Sequence, residues 1–164
     1  MESSTVNTMK SLLFLLVLAA TIPVCAQSTD KKAAIRQLVE SKNYVFRAQT
    51  AMPQTGQVRN LTSIYDLKIT ANSIVSDLPY FGRAYAPADP NEGGIVFNSS
   101  NFSYTTKEKK KGGWEIAIKP ADIKADVSQM WLSISTDGYA TLRVIGNNRN
   151  PISFNGQIFS PDTP

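Results

Sequence analysis

The sequence predicts a mainly β protein: an antiparallel meander of about eight strands that closes into a barrel or strongly curved sheet, with one short N-terminal helix. Three observations carry this reading. Apolar residues alternate with period two through most of the chain, and short Gly, Asn and Asp clusters punctuate the alternating runs. Period 3.6 appears in one segment only, ahead of the strands. A β-sandwich is the alternative, because strands at this spacing build either architecture, and closure would remove exposed edges.

Taken in order, residues 1–26 read as an export address. Lys10 precedes the apolar run Ser11 to Val24, which is short for a bilayer span and ends in Val24-Cys25-Ala26, a small-residue cleavage site. Glu2 is the only charge before Lys10, so Met9 rather than Met1 makes a conventional signal start. Cleavage after Ala26 leaves residues 27–164 as one β-rich domain without cysteine. A second reading makes Cys25 the lipid-modified first residue of a lipoprotein, although Ile22-Pro23-Val24 fits that processing poorly.

The segment DKKAAIRQLVES fits a helix from Asp30 to Ser41, with Asp30 as N-cap and Ala34, Ile35, Leu38 and Val39 as the apolar stripe. In Tyr44 to Ala48 the aromatic positions share one face. Leu61 to Ile69 puts Leu61, Tyr65, Leu67 and Ile69 opposite Thr62, Asp66 and Lys68. Trp114, Ile116 and Ile118, then Met130, Leu132 and Ile134, then Leu142 and Val144 repeat the pattern. Asp137-Gly138 between two such runs predicts a hairpin with a type I′ turn, whose residues need positive φ. Pro79 to Gly94, with three prolines and three glycines, predicts a long irregular loop.

Composition excludes much chemistry. There is no histidine and one cysteine among 164 residues, with 17 Lys plus Arg against 13 Asp plus Glu. Histidine-based triads, cysteine–histidine pairs, internal disulfides and four-cysteine zinc sites therefore cannot be built. No catalytic residues, cofactor or metal are expected.

The candidate ligand site is the loop residues Tyr80, Phe81, Arg83 and Tyr85, where a guanidinium among rings can stack and still fork hydrogen bonds onto an anionic or carbonyl-bearing ligand. Against this stands a plug that closes the barrel end, with Arg83 paired to Asp77 or Asp89. Asp89 to Gly93 offers oxygen ligands without the spacing of a calcium loop. Lys107, Lys109, Lys110 and Lys111 gather at one predicted hairpin tip, suited either to peripheral contact with anionic envelope components or to keeping strands from pairing with other chains. Nucleic acid fits poorly, since no aromatic platform surrounds these lysines. Glu40, Glu92, Glu108 and Glu115 are separated by turns and read as surface charge rather than a glycosidase pair. Trp114 and Trp131 read as core. Asn60, Asn98 and Asn101 head formal glycosylation sequons.

The segments NYVFRAQ (43–49), LPYFGRAY (78–85), GYATL (138–142), NNR (147–149) and PISFNG (151–156) together resemble the DUF4251 family, exported proteins of Bacteroidetes whose function is not established. The resemblance covers about residues 31–158. It implies a lipocalin-like barrel and a periplasmic or envelope location, and it brings no catalytic residues. The expected function is non-enzymatic binding of a small apolar or amphipathic ligand, with a structural or protein-interaction module of the envelope as the alternative. An eight-stranded barrel either fills with side chains or holds one small ligand, so the interior decides between them.

Overall fold

The computed structural model describes residues 26–85 and 93–161. The signal-peptide, Cys25 and Met9 expectations and the Asp89 to Glu92 loop fall outside them.

Helix α1 spans Ala26–Ser41. It begins four residues before the expected N-cap, and Asp30 lies within it, because no glycine or proline between Ala26 and Asp30 enforces a start there. Ile35 and Val39, one turn apart, are buried, and Leu38 is half-buried. Ala34, expected on the same stripe, is exposed. The helix stops where Lys42 enters the left-handed region at φ 50°. Its N–H donates to Val39 O and that of Asn43 to Leu38 O, satisfying the last carbonyls.

Ten strands follow: β1 Tyr44–Pro53, β2 Arg59–Asn60, β3 Asp66–Ile69, β4 Ile74–Pro79, β5 Gly94–Ser99, β6 Phe102–Glu108, β7 Trp114–Pro120, β8 Gln129–Ile134, β9 Tyr139–Ile145 and β10 Ile152–Phe159. All pairs are antiparallel, along the single path β5-β4-β3-β1-β10-β9-β8-β7-β6, with β2 on β1. One continuous sheet excludes the sandwich. The sheet curls into a nearly closed barrel, and its terminal strands β5 and β6 are consecutive in the chain, joined by Ser100-Asn101.

Two local readings change. Residues 61–65 do not continue β3 toward its N-terminus. At Gln49, β1 carries a bulge, and isolated bonds from Leu61 N–H to Gln49 O and from Ala48 N–H to Tyr65 O bracket an excursion there. The β8–β9 hairpin forms as expected, but its turn is not type I′. Gly138 alone has positive φ (83°), its N–H bonds Ser135 O at 3.1 Å, and Ser135 N–H bonds Tyr139 O at 2.8 Å. This is a type I turn closed by a left-handed glycine, so Asp137 needs no strained backbone. The β6–β7 turn repeats it, with Gly112 N–H on Lys109 O and Lys109 N–H on Gly113 O.

The interior is packed. Tyr44, Phe46 and Phe154 join Leu67, Ile69, Ile74, Ile116, Ile118, Met130, Leu132 and Ile134 in one cluster. Burial drives the Tyr44 phenol well above its ordinary range, and its hydroxyl pairs with that of Tyr104 at 2.9 Å. The described clefts open onto the surface rather than into the interior, touching the core only at its margin through Phe97, Leu132 and Ala140. Between the two uses of such a barrel, side chains fill this one.

Candidate functional site

The end of the barrel away from α1 is organised by a knot between the loop after β4 and the β9–β10 turn. Since β9 begins beside α1 and runs seven residues, this turn lies roughly 20 Å along the strand from the helix end. Ala84 and Arg149 form an isolated antiparallel bridge. Tyr85 N–H donates to Asn148 O, Asn150 N–H donates to Arg83 O, and the Tyr80 hydroxyl lies 2.9 Å from the carbonyls of both Arg83 and Asn150. The Tyr85 hydroxyl bonds the Asn150 side-chain oxygen.

A guanidinium does sit against aromatic rings here, but it belongs to Arg149, which stacks 4.8 Å from the Tyr80 ring centroid. The same side chain bonds Asp126 at 3.2 Å and Gly94 O at 3.2 Å, and is almost fully buried. Asp126 in turn accepts from Asn147 and Asn148 N–H. Burial pushes the Tyr80 phenol up, partly offset by the Arg149 charge. Arg59 covers the Phe81 ring at 4.9 Å.

Of the four expected ligand residues, Tyr80 and Phe81 are half-buried and packed against the core, whereas Arg83 and Tyr85 are exposed. Arg83 forms no ion pair with Asp77, and Asp89 lies outside the described residues. The loop brings the four together in sequence but divides them between core and solvent. No local pattern marks Arg149 as a site residue, because its partners, Asp126, Gly94 and Tyr80, lie in three separate segments. The NNR and LPYFGRAY motifs were its only trace in the sequence.

Beside this knot, a cleft of about 310 Å³ opens at the barrel seam between β5 and the segment after β7, lined by Gly94, Val96, Phe97, Asp122, Lys124 and Arg149. Asp122 closes its rim by gripping the β5–β6 corner. Its carboxylate accepts from Ser99 Oγ, from Ser100 N–H and Asn101 N–H at 2.9 Å each, and from Ser100 Oγ at 3.1 Å. These bonds, that from Ser99 foremost, lower its pKa to about 2.

The α1 end has a different character. Arg36 donates to Glu108 at 2.8 Å, Lys31 lies 6.0 Å from the Tyr139 ring, and Lys42 lies 5.0 Å from the Tyr104 ring. The helix thus brings its own cations to the lysine hairpin. Lys107, Lys110 and Lys111 are exposed, while Lys109 folds onto the sheet, its Nζ 2.7 Å from Ser133 Oγ. Residues 30–42, 107–111 and Asp137 carry eight cations and four anions, and four of those cations sit within the five residues 107–111.

The other candidates separate cleanly. Trp114 is buried as expected, but Trp131 is 44% exposed, because the alternation that buries Met130 and Leu132 turns it to the outer face. Glu108 is held by Arg36, Glu115 stands exposed on β7, and the described residues contain no group of three metal-ligating side chains.

Fold and site together define a small helix-capped β-barrel with a packed interior, a knotted end and a basic end. The chain belongs to the DUF4251 family, a domain of unknown function whose model matches residues 26–158. Among solved structures it is similar to a DUF4251 family protein from Bacteroides eggerthii DSM 20697, with 20% identity, a TM-score of 0.58, and coverage of 82% of this chain and 89% of that one. That likeness supports the fold. Comparison with curated proteins found no match.

Proposed function

We propose that this protein is an exported, non-enzymatic component of the cell envelope that acts by contact, with its basic end against an anionic envelope surface. The observation that carries the reading is the segregation of charge. At the α1 and β6–β7 end eight cations stand against four anions, four of the cations on one hairpin tip and the others on the helix beside it. Near an anionic membrane each such lysine contributes about 1 kcal/mol, so Lys107, Lys110 and Lys111 with Lys31 and Lys32 suffice for reversible attachment. The filled interior turns the reading away from a ligand carried inside the barrel. Envelope location rests on the signal-like residues 1–26 and on the family.

Flotation of the exported protein with vesicles tests this. Binding to phosphatidylglycerol-containing vesicles and none to phosphatidylcholine vesicles is expected, with loss as salt shrinks the screening length below about 8 Å. Equal binding to neutral vesicles, or none to either, would overturn the reading.

The seam cleft favours a second reading, a small amphipathic ligand held beside Arg149 and Tyr80. Native mass spectrometry of protein taken from its own envelope would show a retained mass in that case and a bare chain otherwise.

A further inference from the structure

The outer face of β7 to β10 carries a feature that neither the basic end nor the knot explains. Trp131 on β8 and Tyr139 on β9 are the exposed aromatics of this face, 44% and 58% accessible. Trp131 lies directly opposite Arg143, and between the rings runs a row of cross-strand neighbours, Glu115, Ser133, Thr141 and Asn155. Tyr139 lies level with Ser135, four residues beyond Trp131 along β8, so the two backbone positions stand about 14 Å apart by strand rise and spacing. That distance spans a short oligosaccharide. Two open clefts follow the row and share Ser133 and Thr141. One, of about 430 Å³, reaches Gln49, Lys109 and Tyr139; the other, of about 150 Å³, reaches Trp131, Glu115 and Arg143.

We propose that this strip binds an acidic glycan, with Trp131 and Tyr139 stacking on sugar rings and Arg143 and Lys109 pairing with carboxylate or sulfate groups. Its composition is hydroxyl, amide and aromatic rather than aliphatic, which suits a polyhydroxylated ligand better than a protein face. Its charge selects the acidic class. Arg143 is exposed without an ion pair among the described residues, Lys109 is anchored in place by Ser133, and Glu115 is the one anion in the row. Ser135 borders the larger cleft.

The test follows the two indole N–H signals by NMR in the exported protein, with Trp114 in the core as internal control, during titration with trigalacturonate, a heparin tetrasaccharide and neutral maltotriose. A saturable shift of Trp131 alone with an acidic sugar is expected, about tenfold weaker for maltotriose and at least about tenfold weaker in Trp131→Ala and Arg143→Gln, while Trp131→Phe retains most of the affinity. Three results would overturn the proposal: no Trp131 shift with either acidic sugar, binding unaffected by both variants, or a shift that tracks protein concentration and reports a dimer across this face. The strip borders the basic end at Lys109 and Tyr139, whereas Trp131 and Arg143 lie outside it, so vesicle flotation retained in Trp131→Ala and Arg143→Gln with the acidic-sugar shift lost separates the two readings.

Discussion

Replacing Arg149 by alanine should cost far more stability than replacing Arg83, although both arginines belong to the loops that shape the same end. Arg149 loses a nearly buried pair with Asp126 at 3.2 Å, a bond to Gly94 O at 3.2 Å and the stack on Tyr80 at 4.8 Å. A charge-assisted bond of this kind contributes about 1.5–3 kcal/mol and a partly desolvated cation–π contact about 1 kcal/mol. Asp126 keeps its bonds from Asn147 and Asn148 N–H, which spares it the penalty of a bare buried carboxylate. The expected loss is therefore about 3 kcal/mol, or roughly 10 °C in Tm for a domain of this size. Arg83 is exposed and makes none of these contacts, so Arg83→Ala should stay within about 0.5 kcal/mol. Urea titration by circular dichroism, with equal m-values confirming a common unfolded reference, reads both variants. Equal losses, or a larger loss for Arg83→Ala, would refute the assignment of Arg149 as the organising cation.

Gly156→Ala should destabilise by about 3 kcal/mol, since an added Cβ would lie 2.0 Å from the Arg47 carbonyl oxygen and the β1 bulge would have to move; thermal melts check this. Gly138→Ala combines φ 83° with a Cβ 2.7 Å from Ile35 Cδ1, and should loosen α1, seen as faster amide exchange at Val39. Asp122 has a folded-state pKa near 2, below its unfolded value, so its contribution is present above about pH 4 and is lost as pH falls toward 2. Stability measured across that window should drop less steeply in Asp122→Asn than in the parent.

The strands were legible where inward positions are aliphatic, as in Trp114-Ile116-Ile118 and Met130-Leu132-Ile134, because pleat geometry turns alternation into burial. β4 and β5 are harder to read because Ser76 and Ser99 point inward. Their hydroxyls are satisfied by Ile95 O and by Asp122, partners 19 and 23 residues away. The same alternation turns Trp131 to the face opposite Met130, against the general preference of tryptophan for burial. The loop aromatics stand out in the sequence as Tyr80, Phe81 and Tyr85 of LPYFGRAY. Which arginine would stack on them depended on contacts between three segments that no local pattern encodes. The lysine hairpin was visible, whereas its union with Lys31, Lys32 and Arg36 required the helix to lie across that end.

Segregated charge is the centre of the functional reading, and two charge-matched variants test it against net charge alone. One carries Lys107→Glu, Lys110→Glu and Lys111→Glu at the basic end; the other carries Arg83→Glu, Lys119→Glu and Lys124→Glu away from it. Both change the charge by the same amount. Flotation with phosphatidylglycerol vesicles at low salt should show the first variant unbound and the second bound nearly as well as the parent. Equal loss in both would contradict a dedicated basic end and reduce the interaction to the overall charge of the chain.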